Sequence, residues 1–173
     1  MAATYTLIDS YTVGAGGASS VTLGSGGTIP QTYTDLLIKL SARDDRSGES
    51  VTDVLIKFNN STSNLTDKRL YGNGSVAGSD SSSDGRVGVE PAPNATANTF
   101  GNFEIYIPNY AGSNNKSYSA DAVGENNATL SFQTLIAGLW SQTTAINQVT
   151  LYPAASAKFV QYSTFYLYGI KNS

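Results

Sequence analysis

The chain has no cysteine and no histidine among its 173 residues. Those two absences exclude disulfides, thiolate metal sites, Ser-His-Asp and Cys-His nucleophile systems and most zinc sites. With no cysteine present, redox compartment cannot be read from it. Charge is scarce as well: Asp, Glu, Lys and Arg together make up 13% of the chain, about half of the usual share. The net charge is -3 and no basic tract occurs, so neither nucleic acid nor an anionic membrane is an expected partner. No apolar run approaches the length of a membrane span. The opening residues Met1–Ser10 carry neither a basic region nor a long apolar one, so no secretory signal is expected.

What is present is strand chemistry. Hydrophobic residues make up 40%, and the polar remainder is rich in Ser, Thr, Asn and Gly, which favour turns and edges over helix interiors. Apolar alternation with Gly, Pro and Asn punctuation recurs at Thr4–Val13, Ser19–Leu23, Asp35–Leu40, Asp53–Phe58, Arg86–Val89, Phe103–Ile107, Ser117–Val123, Thr129–Trp140, Ile146–Leu151 and the last run, Lys158–Lys171. That spacing predicts about nine or ten antiparallel strands in a β-sandwich, jelly-roll-like, as one domain over 1–173. Asp35–Leu40 and Asp53–Phe58 look alike and are expected to be antiparallel neighbours. Leu65–Tyr71 is the one short-helix candidate, with Asn64 as N-cap and Gly72 as stop. The Gly/Ser/Asp-rich stretch Gly72–Gly85 is expected to be a flexible surface loop. Asp9 interrupts the apolar side of the first strand, and Gly138 suggests a bulge or the close approach of another backbone.

The last run is the longest strand-forming segment. One side carries Phe159, Phe165 and Leu167, the other Tyr162, Tyr166, Tyr168 and Ile170. A strand apolar on both sides is covered on both sides, by a second sheet or by another subunit. Tyrosine buries a ring and keeps a hydroxyl in need of a partner, which suits an interface. The densest charge lies between the two look-alike strands: Arg43, Asp44, Asp45, Arg46 and Glu49. Asp44, Asp45 and Glu49 are hard oxygen donors of the kind calcium takes. Their spacing does not match a calcium loop, and two arginines sit among them, so ion pairing across a solvated hairpin is expected and no metal or cofactor is assigned. A glycosidase would need two paired acids. Glu104 and Glu125 are available, but strand alternation turns Glu104 outward beside Tyr106, so no catalytic residue is assigned.

Several blocks, in order along the chain, carry a resemblance: Tyr5-Thr6-Leu7-Ile8-Asp9, Ile29-Pro30-Gln31-Thr32-Tyr33-Thr34-Asp35-Leu36, Arg69-Leu70-Tyr71-Gly72-Asn73-Gly74, Phe103-Glu104-Ile105-Tyr106-Ile107-Pro108-Asn109-Tyr110, Glu125-Asn126-Asn127-Ala128-Thr129 and Leu167-Tyr168-Gly169-Ile170. Together they resemble virion structural proteins of marine and freshwater tailed phages, including cyanophages. The resemblance implies a non-enzymatic, self-assembling domain, a homotrimer, on the exterior of a virus particle made in a bacterial cytoplasm. A capsid decoration (cement) protein is the expected role, with the major capsid protein as partner. Candidate subunit and capsid contacts are Tyr5, Leu7, Arg43, Asp44, Asp45, Arg46, Tyr162, Tyr166 and Tyr168, drawn from the N-terminal segment Ala2–Ile8, the charged loop and the tyrosine side of the last strand; Gly72–Gly85 is a further contact segment. The alternative is a tail-fibre or receptor-binding domain recognising host glycans, with Trp140 as a stacking residue. Such domains are expected to hang from longer polypeptides with a shaft.

Overall fold

The structure is a computed structural model that describes residues 4–24, 28–125 and 131–171. It contains twelve strands: β1 (Tyr5–Thr12), β2 (Val21–Leu23), β3 (Asp35–Ala42), β4 (Val51–Phe58), β5 (Leu65–Gly72), β6 (Ala77–Ser82), β7 (Arg86–Pro91), β8 (Gly101–Ile107), β9 (Lys116–Val123), β10 (Gln133–Trp140), β11 (Val149–Pro153) and β12 (Thr164–Ile170). They form an eight-stranded sheet, in the order β1-β12-β3-β8-β9-β10-β5-β6, and a four-stranded sheet, in the order β2-β11-β4-β7. Every strand pairing is antiparallel. Among the described residues no helix covers a sheet, and each sheet buries its apolar side against the other.

The pairings are nested. β5 pairs with β6, β4 with β7, β3 with β8, β2 with β11 and β1 with β12, and successive pairs alternate between the two sheets. This is one long hairpin rolled up on itself, the jelly-roll wrap. β9 and β10 are inserted in the large sheet between β8 and β5. Alternation between sheets overturns one expectation. β3 and β4 are not neighbours: β3 lies between β12 and β8, and β4 between β11 and β7. Their look-alike apolar sides, Leu36, Ile38 and Leu40 against Val54, Ile56 and Phe58, meet in the same core from opposite sheets. The similarity reflects equivalent positions across the sandwich.

Two further expectations are corrected. Leu65–Tyr71 is strand β5, with Leu65 and Asp67 inward and Thr66 and Lys68 outward. Asn64 does not cap a helix; it has φ 64 and turns the chain into the strand. The Gly/Ser/Asp-rich segment is edge strand β6, joined to β5 through a turn in which the Asn73 side chain accepts the Ser75 and Val76 N–H groups at 3.0 and 2.8 Å. Neither strand has the apolar content to hold itself in place. β5 is paired along its length with β10, and ion pairs tie both strands to the opposite sheet. Asp67 accepts the Arg86 Nε–H at 2.8 Å and the Arg86 backbone N–H at 3.2 Å. Arg86 Nη2 lies 2.8 Å from Asp67 and 2.9 Å from Asp80, and Arg69 reaches Asp80 at 2.5 Å and Asp53 at 3.0 Å. The Arg69 guanidinium holds the Asp80 carboxyl below its usual range, while burial raises Asp53. The network joins β5 and β6 to β7 and β4, across the two sheets.

Local anomalies in the sequence find their causes here. The pairing of β1 with β12 shifts register between Leu7 and Asp9. Tyr5 and Leu7 therefore sit on one side of the sheet, while Asp9 and Tyr11 pair opposite the inward Leu167 and Phe165. Asp9 is turned to the inner side, where its carboxylate accepts the Gly24 N–H at 3.0 Å. At Gly138 the close approach comes from an aromatic ring: a Cβ there would lie 1.9 Å from the ring of Tyr118, its cross-strand partner on β9. The turn over 24–27 and the block and turn over 124–129 fall partly outside the described residues, as do residues 2 and 3 of the N-terminal contact segment.

Arg86→Ala leaves Asp67 buried without its cation. Removing one member of a buried ion pair destabilises by about 3–5 kcal/mol, and this variant is expected to fall in that range by equilibrium urea unfolding. A loss below about 1 kcal/mol, the size of an exposed pair, would show that the network does not hold the β5–β6 hairpin.

Candidate functional site

The outer side of the eight-stranded sheet is built by cross-strand rows. In one row Leu7, Tyr168, Leu37 and Tyr106 lie side by side on β1, β12, β3 and β8. The next carries Ser10, Tyr166, Lys39, Glu104 and Asp121. Strand alternation points these residues away from the core, while Phe165 and Leu167 of β12 point into it and are fully buried. Tyr5 is 56% exposed, Leu7 52% and Tyr166 37%. Leu37 floors a shallow groove of about 440 Å³, walled by Tyr5, Tyr168, Lys39 and Glu104. Lys39 and Glu104 form an ion pair at 2.9 Å across β3 and β8, and the carboxylate raises the lysine pKa. The Tyr106 hydroxyl donates to Asp35 at 2.8 Å. Tyrosine rings, the Leu37 floor and the Lys39–Glu104 pair therefore form an amphipathic surface, bordered by exposed Asp121, with nothing among the described residues covering its Tyr5, Leu7 and Tyr166 side chains.

Of the nine candidate contact residues, Tyr5, Leu7, Tyr166 and Tyr168 come together on this face. Tyr162 does not. It precedes β12 with φ 74 and is 69% exposed on a turn. The last strand is shorter than its composition implied, since residues 158–163 form a separate connection in which Phe159 bridges to Ala18 and Asp44. The charged loop also departs from expectation. Arg43 and Asp44 are buried, so the loop is not a solvated hairpin, and these two side chains are not available to a partner. Arg43 donates to the carbonyl oxygens of Thr96 (2.9 Å), Thr99 (3.1 Å), Ala92 (2.9 Å) and Ala95 (3.3 Å), tying down the loop after β7. Asp45 is exposed and accepts the Lys158 N–H at 2.7 Å, and Arg46 pairs with Glu49 at 3.5 Å. Trp140 packs on Phe58 in the core, with ring centroids 5.4 Å apart, and offers no stacking surface. Glu104 is paired within the sheet, whereas Glu125 lies beyond the end of β9 and accepts the Ser131 hydroxyl.

One residue escaped the sequence reading altogether. Glu90, on β7, is completely buried and lies against Asp44, itself 1% exposed. Thr52 of β4 stands directly opposite Glu90. The only hint in the sequence was an acid inside the apolar run Arg86–Pro91; nothing in spacing joins position 44 to position 90. Burial, followed by the charge of Asp44, pushes the Glu90 carboxyl well above its ordinary range. Burial raises Asp44 too, against the Arg46 backbone N–H that it accepts at 2.9 Å. Among the described residues no group of three or more His, Cys, Asp or Glu converges on a metal-sized site.

Comparison with protein-family models, with curated proteins and with solved structures finds no match to this chain.

Glu90 sets a pH dependence. Set against Asp44, it keeps its proton in the fold and releases it on unfolding, so the native state holds the extra proton at any pH between the ordinary carboxylate value and the raised one. Stability then falls as pH rises through that window, by up to about 1.4 kcal/mol per pH unit for one proton. Thermal unfolding from about pH 5 to 8 is expected to show this decline in the wild type and a flatter profile in Glu90→Gln. Parallel profiles would mean that Glu90 does not carry the buried proton.

Proposed function

We propose that this chain is a non-enzymatic structural protein of a phage particle, a decoration protein that binds the outside of the capsid lattice and associates with copies of itself. Two lines support the reading. The sequence blocks resemble phage virion proteins along nearly the whole chain. The carrying observation is the open aromatic side of the eight-stranded sheet, where Tyr5, Leu7, Tyr166 and Tyr168 stand together around the Leu37 groove. Contiguous exposed apolar surface on a folded domain marks an interaction site, and tyrosine is enriched in such contacts. The rolled-hairpin fold suits the role: a rigid scaffold presents the face, and β1, at the sheet edge, adds backbone groups for strand addition. Lattice binding would stabilise the particle by mass action, through area shared among subunits.

Tyr166→Asp places a charge at the centre of this face and leaves the core untouched. The wild type is expected to run as an oligomer in light scattering coupled to size exclusion, and the variant as a folded monomer with an unchanged melting temperature. An oligomer of unchanged size in the variant would remove this face as the subunit contact.

A further inference from the structure

A second groove, of about 570 Å³, opens on the eight-stranded sheet away from the tyrosine face, across the ends of β9, β10 and β5. Its floor is apolar. Leu70 and Leu135 are cross-strand partners, 60% and 50% exposed, and Val123 stands beside Gln133 in the next row. Phe132 walls one end. Its ring meets the Tyr71 ring edge to face, with centroids 5.9 Å apart. Tyr71 is itself held: the Arg69 guanidinium lies 5.2 Å from its centroid, and a Cβ at its cross-strand partner Gly78 would fall 2.6 Å from the ring. Gly72, opposite Gln133, leaves a notch, since beyond its chain neighbours no atom lies within 4 Å of where its Cβ would stand. The polar lining is mostly neutral. Asn73 Oδ1 accepts the Ser75 and Val76 N–H groups, which fixes the amide and leaves its NH₂ without a partner among the described residues. The exposed Gln133 amide has none there either. Ser131 donates its hydroxyl to Glu125 at 3.1 Å.

Two features narrow what this groove can take. β5, β9 and β10 are each paired on both sides, so the groove offers no free strand edge to hold an extended peptide by strand addition. No lysine or arginine lines it, while Glu125 does, so phosphate, sulfate and carboxylate groups would meet a like charge and no cation. What fits is a ligand with an apolar surface rimmed by neutral groups that both donate and accept. We propose that the groove binds a neutral saccharide, at a site separate from the assembly face. The C–H face of a pyranose ring covers Leu70, Leu135 and the Phe132 ring, and its hydroxyls pair with the Gln133 and Asn73 amides. Strand pairing and ring contacts hold the walls before the ligand arrives, which lowers the ordering cost of binding. Binding itself does not depend on a particle role; carried on a particle, the site tethers it to surface saccharide.

The test is a printed array of neutral, sulfated, sialylated and uronate-containing oligosaccharides, probed with the fluorescently labelled full chain. Retention is expected on neutral oligosaccharides and is expected to be displaced by the same oligosaccharide free in solution, whose affinity calorimetric titration then measures. Gly72→Leu sends a side chain into the open notch from ordinary strand backbone. It is expected to weaken that affinity by about tenfold or more with an unchanged melting temperature. Gln133→Ala is expected to weaken it several-fold through one lost hydrogen bond. Tyr166→Asp, on the assembly face, is expected to titrate like the wild type, so failure of assembly and failure of binding are read separately. No retention on any saccharide, retention on the acidic ones alone, or an undiminished affinity in Gly72→Leu would overturn the proposal.

Discussion

The ion-pair network of Asp53, Asp67, Arg69, Asp80 and Arg86 is the constraint on which the rest of the sandwich depends. The innermost turn of the rolled hairpin is β5–β6, and every outer pair wraps around it. That turn has almost no apolar content facing inward besides Leu65. In a sheet the usual driving force is apolar burial, and here it is supplemented by two guanidinium groups that each grip two carboxylates. Such an arrangement has directional requirements that a hydrophobic contact lacks. It ties the hairpin to β4 and β7 across the sandwich, where the wrap closes.

The same constraint explains which parts of the fold were legible in the sequence. The strands with apolar alternation, β3, β4, β8, β9 and the Phe165–Leu167 part of β12, could be read because their inward residues form one core. β5 and β6 could not. Leu-Thr-Asp-Lys-Arg-Leu-Tyr carries charges that suit a helix surface, and Ala77–Ser82 carries no hydrophobic signal at all; both are strands because of partners far away in the chain. Neighbourhood was harder still. Two similar segments joined by a short charged loop look like a hairpin, but the jelly-roll wrap sends consecutive strands to opposite sheets, and period-two alternation is blind to that difference.

The candidate surfaces show the same division. The tyrosine side of the last strand was visible from alternation, and the fold adds Tyr5, Leu7 and Leu37 to it from β1 and β3. Tyr162 falls outside because the strand begins later than its composition implied. The charged loop was visible as a cluster, but its chemistry was not: Arg43 becomes an internal clamp on carbonyls, and Asp44 meets Glu90 and Thr52, which no local pattern connects to it. The molecule thus separates its polar functions. Buried charge holds loops and strands, while the β1, β12 and β3 part of the outer sheet face offers aromatic and aliphatic surface beside the Lys39–Glu104 pair.

That separation suits the proposed role on a phage particle, and the number of copies on a particle tests that role most directly. Quantitative mass spectrometry of purified virions, referenced to the major capsid protein, is expected to give a simple whole-number ratio, with the protein present wherever the lattice repeats. A few copies per particle would place the chain on a tail or fibre instead, and absence from purified particles would contradict the structural role altogether.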